Sequence, residues 1–269
     1  MNAAGRHLRP ATAVVRRDLL LAWSYRAQFV TGVFSGFVSL SIFYYISRLV
    51  RVEQFSPSDY FAFVTVGIVV FTVVNATLQS PEGALRQELV AGTFERMLLA
   101  PSGSAVPIVS LLIYPALYAL ITVTALVGIA AAIFGLELQW STVPLGFLVA
   151  ALSLLAFAPF GVLLLASVVL IKRAPPGANY LLAGLSLVAG LYFPVVLLPD
   201  WIQWASEVQP LTPAVELLRS TLVGQPLSDP AWLSLTKLAV FAAVALPLSV
   251  AALKAALRVS RRRGTILEY

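Results

Sequence analysis

The sequence predicts an all-α, polytopic membrane protein of about six transmembrane helices with both ends in the cytoplasm. Three observations carry this. First, 59% of the 269 residues are hydrophobic and 11% are charged, with a mean hydropathy of +0.90, whereas soluble domains carry about 45–50% apolar and about 25% charged residues. Second, the apolar residues gather into six runs, each long enough for a hydrocarbon core of about 30 Å, which takes roughly 20 helical residues. Third, the basic residues lie between these runs and collect on alternate sides.

The six runs fall at about 27–47, 60–79, 105–134, 143–171, 178–198 and 231–253. The third and fourth exceed the minimum length, which implies tilt or extension beyond the membrane. Orientation follows from Lys and Arg near the span ends. With the amino terminus inside, 14 of the 18 Lys and Arg are cytoplasmic, leaving Arg48, Arg51, Arg219 and Lys237 outside or at the outer edge. Lys237 lies one turn into the last span and can snorkel outward. Pro115, Pro159 and Pro247 fall inside runs, where each removes a backbone hydrogen bond and can bend its helix. Gly32 and Gly36 form a small-xxx-small pair suited to close helix approach.

Composition also narrows the chemistry. The pI near 9.8 and formal charge of +6 fit membrane orientation better than nucleic acid, because the basic residues form no patch. Without cysteine, and with His7 the single histidine, neither a thiolate metal site nor a histidine metal centre is expected. Arg6, Arg9, Arg16, Arg17 and Asp18 interrupt the first stretch, so no cleavable signal peptide is expected. None of the six runs contains an acidic residue or histidine, the usual equipment for coupling to protons or sodium. Asn75 and Gln79 are the strongest polar groups there, and interhelical hydrogen bonding is their ordinary use. The chain also lacks a G-x-x-x-x-G-K-[ST] loop with which to bind ATP. Energy for uphill transport would have to enter from a separate ATPase.

The longest internal cytoplasmic segment is 80–101. Ser80 can cap a helix, Pro81 fits its first position, and Glu82 favours the positive end and lies four residues before Arg86. Leu85 and Leu89 share a face, as do Phe94 and Leu98, with Gly92 between the two helical pieces. On the residues alone, a docking surface for a cytosolic partner and an amphipathic connector lying in the headgroups fit equally.

The stretch Gly92-Thr93-Phe94-Glu95-Arg96-Met97-Leu98-Leu99-Ala100-Pro101 resembles the segment after the second span in permeases of the type-2 ABC exporter superfamily, which includes drug-resistance and polysaccharide export permeases. A second similarity runs through Phe193-Pro194, Leu198-Pro199, Trp201-Ile202 and Pro210-Leu211-Thr212-Pro213, followed by Glu216 and Arg219. It resembles the re-entrant region that those permeases carry before their last span. The resemblance implies a coupling segment at 80–101, with Glu82, Arg86, Glu88, Gly92, Thr93, Phe94, Glu95 and Arg96 as ATPase-coupling candidates. It implies an amino-terminal interfacial helix within 1–26 that carries Arg16, Arg17 and Asp18. Val15, Leu19, Ala22 and Trp23 recur there at helical spacing, although Leu21 falls on the opposite side. The outer re-entrant region, 199–230, would use Pro199, Trp201, Trp204, Pro210, Pro213 and Arg219, with Pro194 just before it. Trp201 and Trp204 read first as interfacial anchors. The run Arg261-Arg262-Arg263 reads as a topology and anionic-lipid anchor.

The organisation expected is therefore an interfacial segment at 1–26, a six-span domain at 27–257 and a basic cytoplasmic tail at 258–269. The expected partners are two copies of an ATPase subunit that holds ATP and Mg, a second permease copy in a homodimer, and membrane lipid, but no nucleic acid. The location implied is a bacterial cytoplasmic (inner) membrane. This chain would be a transport subunit with neither a catalytic site nor a cofactor of its own. Its cargo would be a hydrophobic drug, a lipid or a glycan-lipid; the aromatic residues Phe29, Phe34, Phe37, Phe43, Tyr44 and Tyr45 in the first span leave polysaccharide open beside ordinary packing. A stand-alone channel or secondary transporter, or a membrane scaffold, are the alternatives.

Overall fold

The computed structural model describes residues 26–49, 56–99, 105–171, 178–192 and 195–262. Arg16, Arg17, Asp18, Pro194 and residues 263–269 lie outside the described residues. Among those described there is no strand. The helices are α1 (Arg26–Leu49), α2 (Pro57–Val90), α3 (Phe94–Leu98), α4 (Ala105–Ser110), α5 (Ile113–Phe134), α6 (Val143–Ile171), α7 (Ala178–Val188), α8 (Asp200–Val208), α9 (Leu211–Val223) and α10 (Ala231–Arg262). A short 3-10 turn, Val195–Leu197, precedes α8.

Among the described residues, five stretches are long and apolar enough to cross a membrane: Phe29–Leu49, Ser58–Val90, Ala105–Phe134, Val143–Ile171 and Ala231–Arg262. The run at 178–198 is different. Its helix α7 has 11 residues, about 16 Å at 1.5 Å per residue, too short to cross alone. Gly190 turns the chain with φ 72°.

The second run also differs from expectation, because α2 does not stop at Ser80. The start signal read at Ser80-Pro81 operates instead at Ser56-Pro57. There the Ser56 hydroxyl accepts from the Asp59 amide at 3.2 Å and donates to the Asp59 carboxylate at 2.6 Å, with Pro57 in the first turn. Pro81 lies inside the continuous helix, where it leaves the Thr77 carbonyl without its usual partner. That carbonyl faces Gly161 of α6 so closely that a Cβ there would stand 2.1 Å from it. Pro115 has the stronger effect. The third run breaks into α4 and α5 at Leu111–Leu112, whereas α6 and α10 continue through Pro159 and Pro247.

Three clusters divide the bundle along its length. At one end Leu40, Phe61, Phe63, Ile68, Leu126 and Leu136 pack together. Phe37, Tyr44, Phe61 and Phe134 add ring contacts with centroids 5.0–5.8 Å apart. The middle is an aliphatic core from α2, α5, α6 and α9. At the other end α2, α3 and α4 pack onto α6 and α10. α6 and α10 form the most extensive helix pair. The pair Gly32 and Gly36 is occupied within the chain, since a Cβ at either would stand 2.3 Å from the Tyr118 hydroxyl oxygen or 2.4 Å from the Leu126 side chain.

The two ends differ in chemistry. Trp140, Trp201 and Trp232 are exposed in or beside the 135–142 loop, the start of α8 and the start of α10. The loop is tied to α9, for the Gln139 amide donates to the Leu222 carbonyl at 2.9 Å and the Thr142 hydroxyl to the Thr221 carbonyl at 2.7 Å. Lys237 pairs with Asp229 at 2.6 Å near the same end, in keeping with its outward reach. Arg86, Arg96, Lys254, Arg258, Arg261 and Arg262 are exposed at the opposite end, where the last of these extend α10 as helix rather than begin a separate tail.

Candidate functional site

At the basic end α2 closes in a Schellman motif. The Gly92 amide donates to the Leu89 carbonyl at 3.2 Å and the Thr93 amide to the Glu88 carbonyl at 3.1 Å, the paired bonds that such an ending requires. Gly92 takes φ 67°, left-handed backbone that glycine adopts without a Cβ penalty. The Thr93 hydroxyl donates to the Glu88 carboxylate and, at 3.3 Å, to its carbonyl. The chain then turns into α3, with the Arg96 amide donating to the Thr93 carbonyl at 3.1 Å.

α3 has an inner and an outer face. Phe94 and Met97 are buried in the cluster formed by Val162, Leu165 and Val169 of α6 and Leu253, Ala256 and Leu257 of α10, and Leu85 of α2 is fully enclosed there. Arg86, Gln87, Gly92, Glu95 and Arg96 are exposed. So are two large apolar side chains, Val90 (77%) and Leu99 (83%). The structure thus brings Arg86, Glu95 and Arg96 onto one exposed end. Glu88 is drawn into the turn, Glu82 is half-buried, and Phe94 is an anchor. Sequence reasoning missed one contact here: Arg261 donates from Nη2 to the Leu98 carbonyl at 3.4 Å. The basic run at the chain's end gave no sign of a partner 163 residues away.

At the tryptophan end, Pro199 precedes α8 and Pro210 precedes α9. The turn between these helices is seated within the bundle, because Gln209, Pro210 and Leu211 line a small void with Val74 and Leu78 of α2 and Phe157 and Phe160 of α6. From there α9 returns to the 135–142 loop. α8 and α9 therefore dip into the bundle and come back, as a re-entrant region does. Trp201, Trp204 and Val208 are exposed along α8. Pro213 is buried in the first turn of α9. Arg219 is the outlier, a guanidinium that is 7% exposed and donates to the carbonyls of Gly190, Leu191 and Phe63. Among the described residues no group of His, Cys, Asp and Glu could hold a metal ion.

Long apolar helices, a re-entrant pair near one end and a partly buried helical turn projecting at the other define a polytopic α-helical membrane protein built as a transport permease. The chain matches the family described as ABC-2 type transporter over residues 11–223, and it belongs to that family. No curated protein matches it.

Proposed function

We propose that the chain is the membrane permease subunit of an ATP-driven exporter, forming the path for a hydrophobic or amphipathic cargo such as a drug, lipid or glycan-lipid. A separate ATPase, in two copies that hold ATP and Mg, would dock beneath two permease copies in a bacterial inner membrane, with both permease termini cytoplasmic. The observation that carries this reading is the two-sided α3. Its buried face, Phe94 and Met97, joins the cluster that α2, α4, α6 and α10 share, while Val90, Glu95, Arg96 and Leu99 beside or on it are exposed. Such an element can be pushed from outside and pass the push to the most extensive helix pair in the bundle.

The chemistry of the exposed end supports protein docking over a headgroup seat. Within an otherwise basic end, Glu95 lies beside Arg96 on α3, so this helix carries both signs, whereas anionic headgroups favour basic residues alone. The chain would thus supply the path and the lever, and its partner would supply the energy.

The test is reconstitution with the partner ATPase in vesicles. Wild-type permease should stimulate ATP hydrolysis and retain the ATPase on purification. Glu95→Lys should leave expression and insertion unchanged while reducing stimulated hydrolysis at least about tenfold, the scale of a lost interfacial charge contact. Undiminished hydrolysis by Glu95→Lys would remove Glu95 from the interface, and a permease that retains no ATPase would refute the reading as a whole.

A further inference from the structure

Arg219 is a cation placed where the re-entrant region is shut off from water. Its Nη2 donates to the Gly190 carbonyl at 2.7 Å, the Leu191 carbonyl at 3.2 Å and the Phe63 carbonyl at 3.4 Å. Its Cζ lies 3.3 Å from the centroid of the Phe63 ring, a cation–π contact that gains from desolvation. The three acceptors belong to α2 and to the turn that follows α7, whereas Arg219 belongs to α9.

α7 ends at Val188, so the Gly190 and Leu191 carbonyls lie beyond its helical ladder and are met by the Arg219 guanidinium. They also follow the carboxyl end of α7, where the helix dipole favours a cation. The approach is close on a second side: a Cβ at Gly67 of α2 would stand 2.1 Å from the Leu191 oxygen. Pulling α9 away would strand a buried charge and break its bonds to these carbonyls, a costly change away from water.

We infer that Arg219 is a positioning residue for transport: it fastens α9, the end of α7 and the adjoining stretch of α2 into one body, so that this end of the path moves as a unit. The inference rests on the transport reading. It adds that the re-entrant helices do not move independently of α2, and that the cationic charge, rather than side-chain volume, holds them.

The chain has no native cysteine, so Leu191→Cys, at a fully enclosed position, reports opening of this junction through its rate of reaction with a small thiol reagent. With Arg219 intact, labelling of the purified permease should be slow. In Arg219→Met, of similar length but without charge, it should be at least about tenfold faster, the factor expected from losing a hydrogen bond to a charged group. Arg219→Lys keeps a cation with three donors and should remain near the parent rate. A cysteine at Ile108, enclosed in the basic-end cluster, should stay unlabelled throughout. In the complex with the ATPase, a non-hydrolysable ATP analogue should alter Leu191→Cys labelling in the parent and Arg219→Lys proteins but not in Arg219→Met. Equal labelling of the Met and parent proteins overturns the inference, as does simultaneous exposure of Ile108→Cys, which would signify general loosening. Failure of the ATPase to bind would instead refute the transport reading and leave the labelling contrast standing.

Discussion

At Gly92 the backbone takes φ 67°, and nothing lies within 4 Å of where a Cβ would stand. The cost of a side chain is therefore conformational alone, about 1–2 kcal/mol for left-handed backbone. Gly92→Ala should lower the thermal midpoint of the purified protein, and Gly92→Asn, which tolerates this backbone better, should lower it less. A midpoint unchanged in both would mean that the turn relaxes freely. Glu88 and Glu95 look alike in the sequence, as two carboxylates flanking one glycine. The structure separates them, because the Glu88 carboxylate accepts from Thr93 while Glu95 is exposed. Glu88→Ala should thus destabilise the turn by about 1 kcal/mol, read in the same melting experiment, and Glu95→Ala should leave the midpoint in place.

Among the elements, the α2–α6 crossing is set by glycine. A Cβ at Gly161 would stand 2.1 Å from the Thr77 carbonyl oxygen and 3.0 Å from a Leu112 methyl carbon, and a backbone carbonyl cannot turn aside as a side chain can. Gly161→Ala should destabilise the protein by roughly 1–3 kcal/mol through overpacking. Gly128→Ala, at a site with nothing within 4 Å, should be neutral or stabilising because alanine favours the helix. Equal midpoints for the two variants would disprove the tight crossing. The fourth span was legible to the residue, since 143–171 is an uninterrupted apolar run with charge only beyond it. The start of α2 and its passage through Pro81 were not, because Ser-Pro with an acidic residue within the next two positions occurs at Ser56 and again at Ser80. A cap and a mid-helix proline read the same until packing decides. For Arg219 the sequence offered a lone cation near an expected outer edge, and only the meeting of α2, α7 and α9 turns it inward. The aromatic residues of the first span read as packing or as a rail for sugar. Phe29, Phe37, Phe43 and Tyr44 contact rings on α2, α5 or the segment after α7, while Phe34 and Tyr45 remain outward.

For the whole molecule, single cysteines at positions 2, 90, 205 and 266 test orientation. In intact cells an impermeant thiol reagent should reach only position 205, and labelling at 90 would invert the proposed topology. Self-association is the companion expectation, because so few spans rarely enclose a path for a large cargo. The particle mass of the active complex should contain two permeases, and one per particle would exclude the pair. Gly32 and Gly36, the small-xxx-small pair, make their close approach to α5 within the chain, so substitutions there should act on the monomer's fold.

α2 runs unbroken from the Ser56 cap to the Gly92 turn, and it bears on α6 where the Thr77 carbonyl meets Gly161. A stiff rod that pivots at this crossing, carrying its second close approach at Gly67 with it, would act as a lever. From Thr77 the arm toward Val90 is about 20 Å and the arm toward Pro57 about 30 Å, at 1.5 Å per residue. A sideways displacement of about 2 Å at the α3 end therefore becomes about 3 Å in the opposite sense at the tryptophan end. Spin-label distances from positions 58 and 90 to a fixed site on α6 should change with opposite sign when the ATPase binds nucleotide; changes of the same sign would mean that α2 slides instead. The mechanical advantage is written in the placing of one glycine, and moving that bearing along α6 would regear the machine without touching either end.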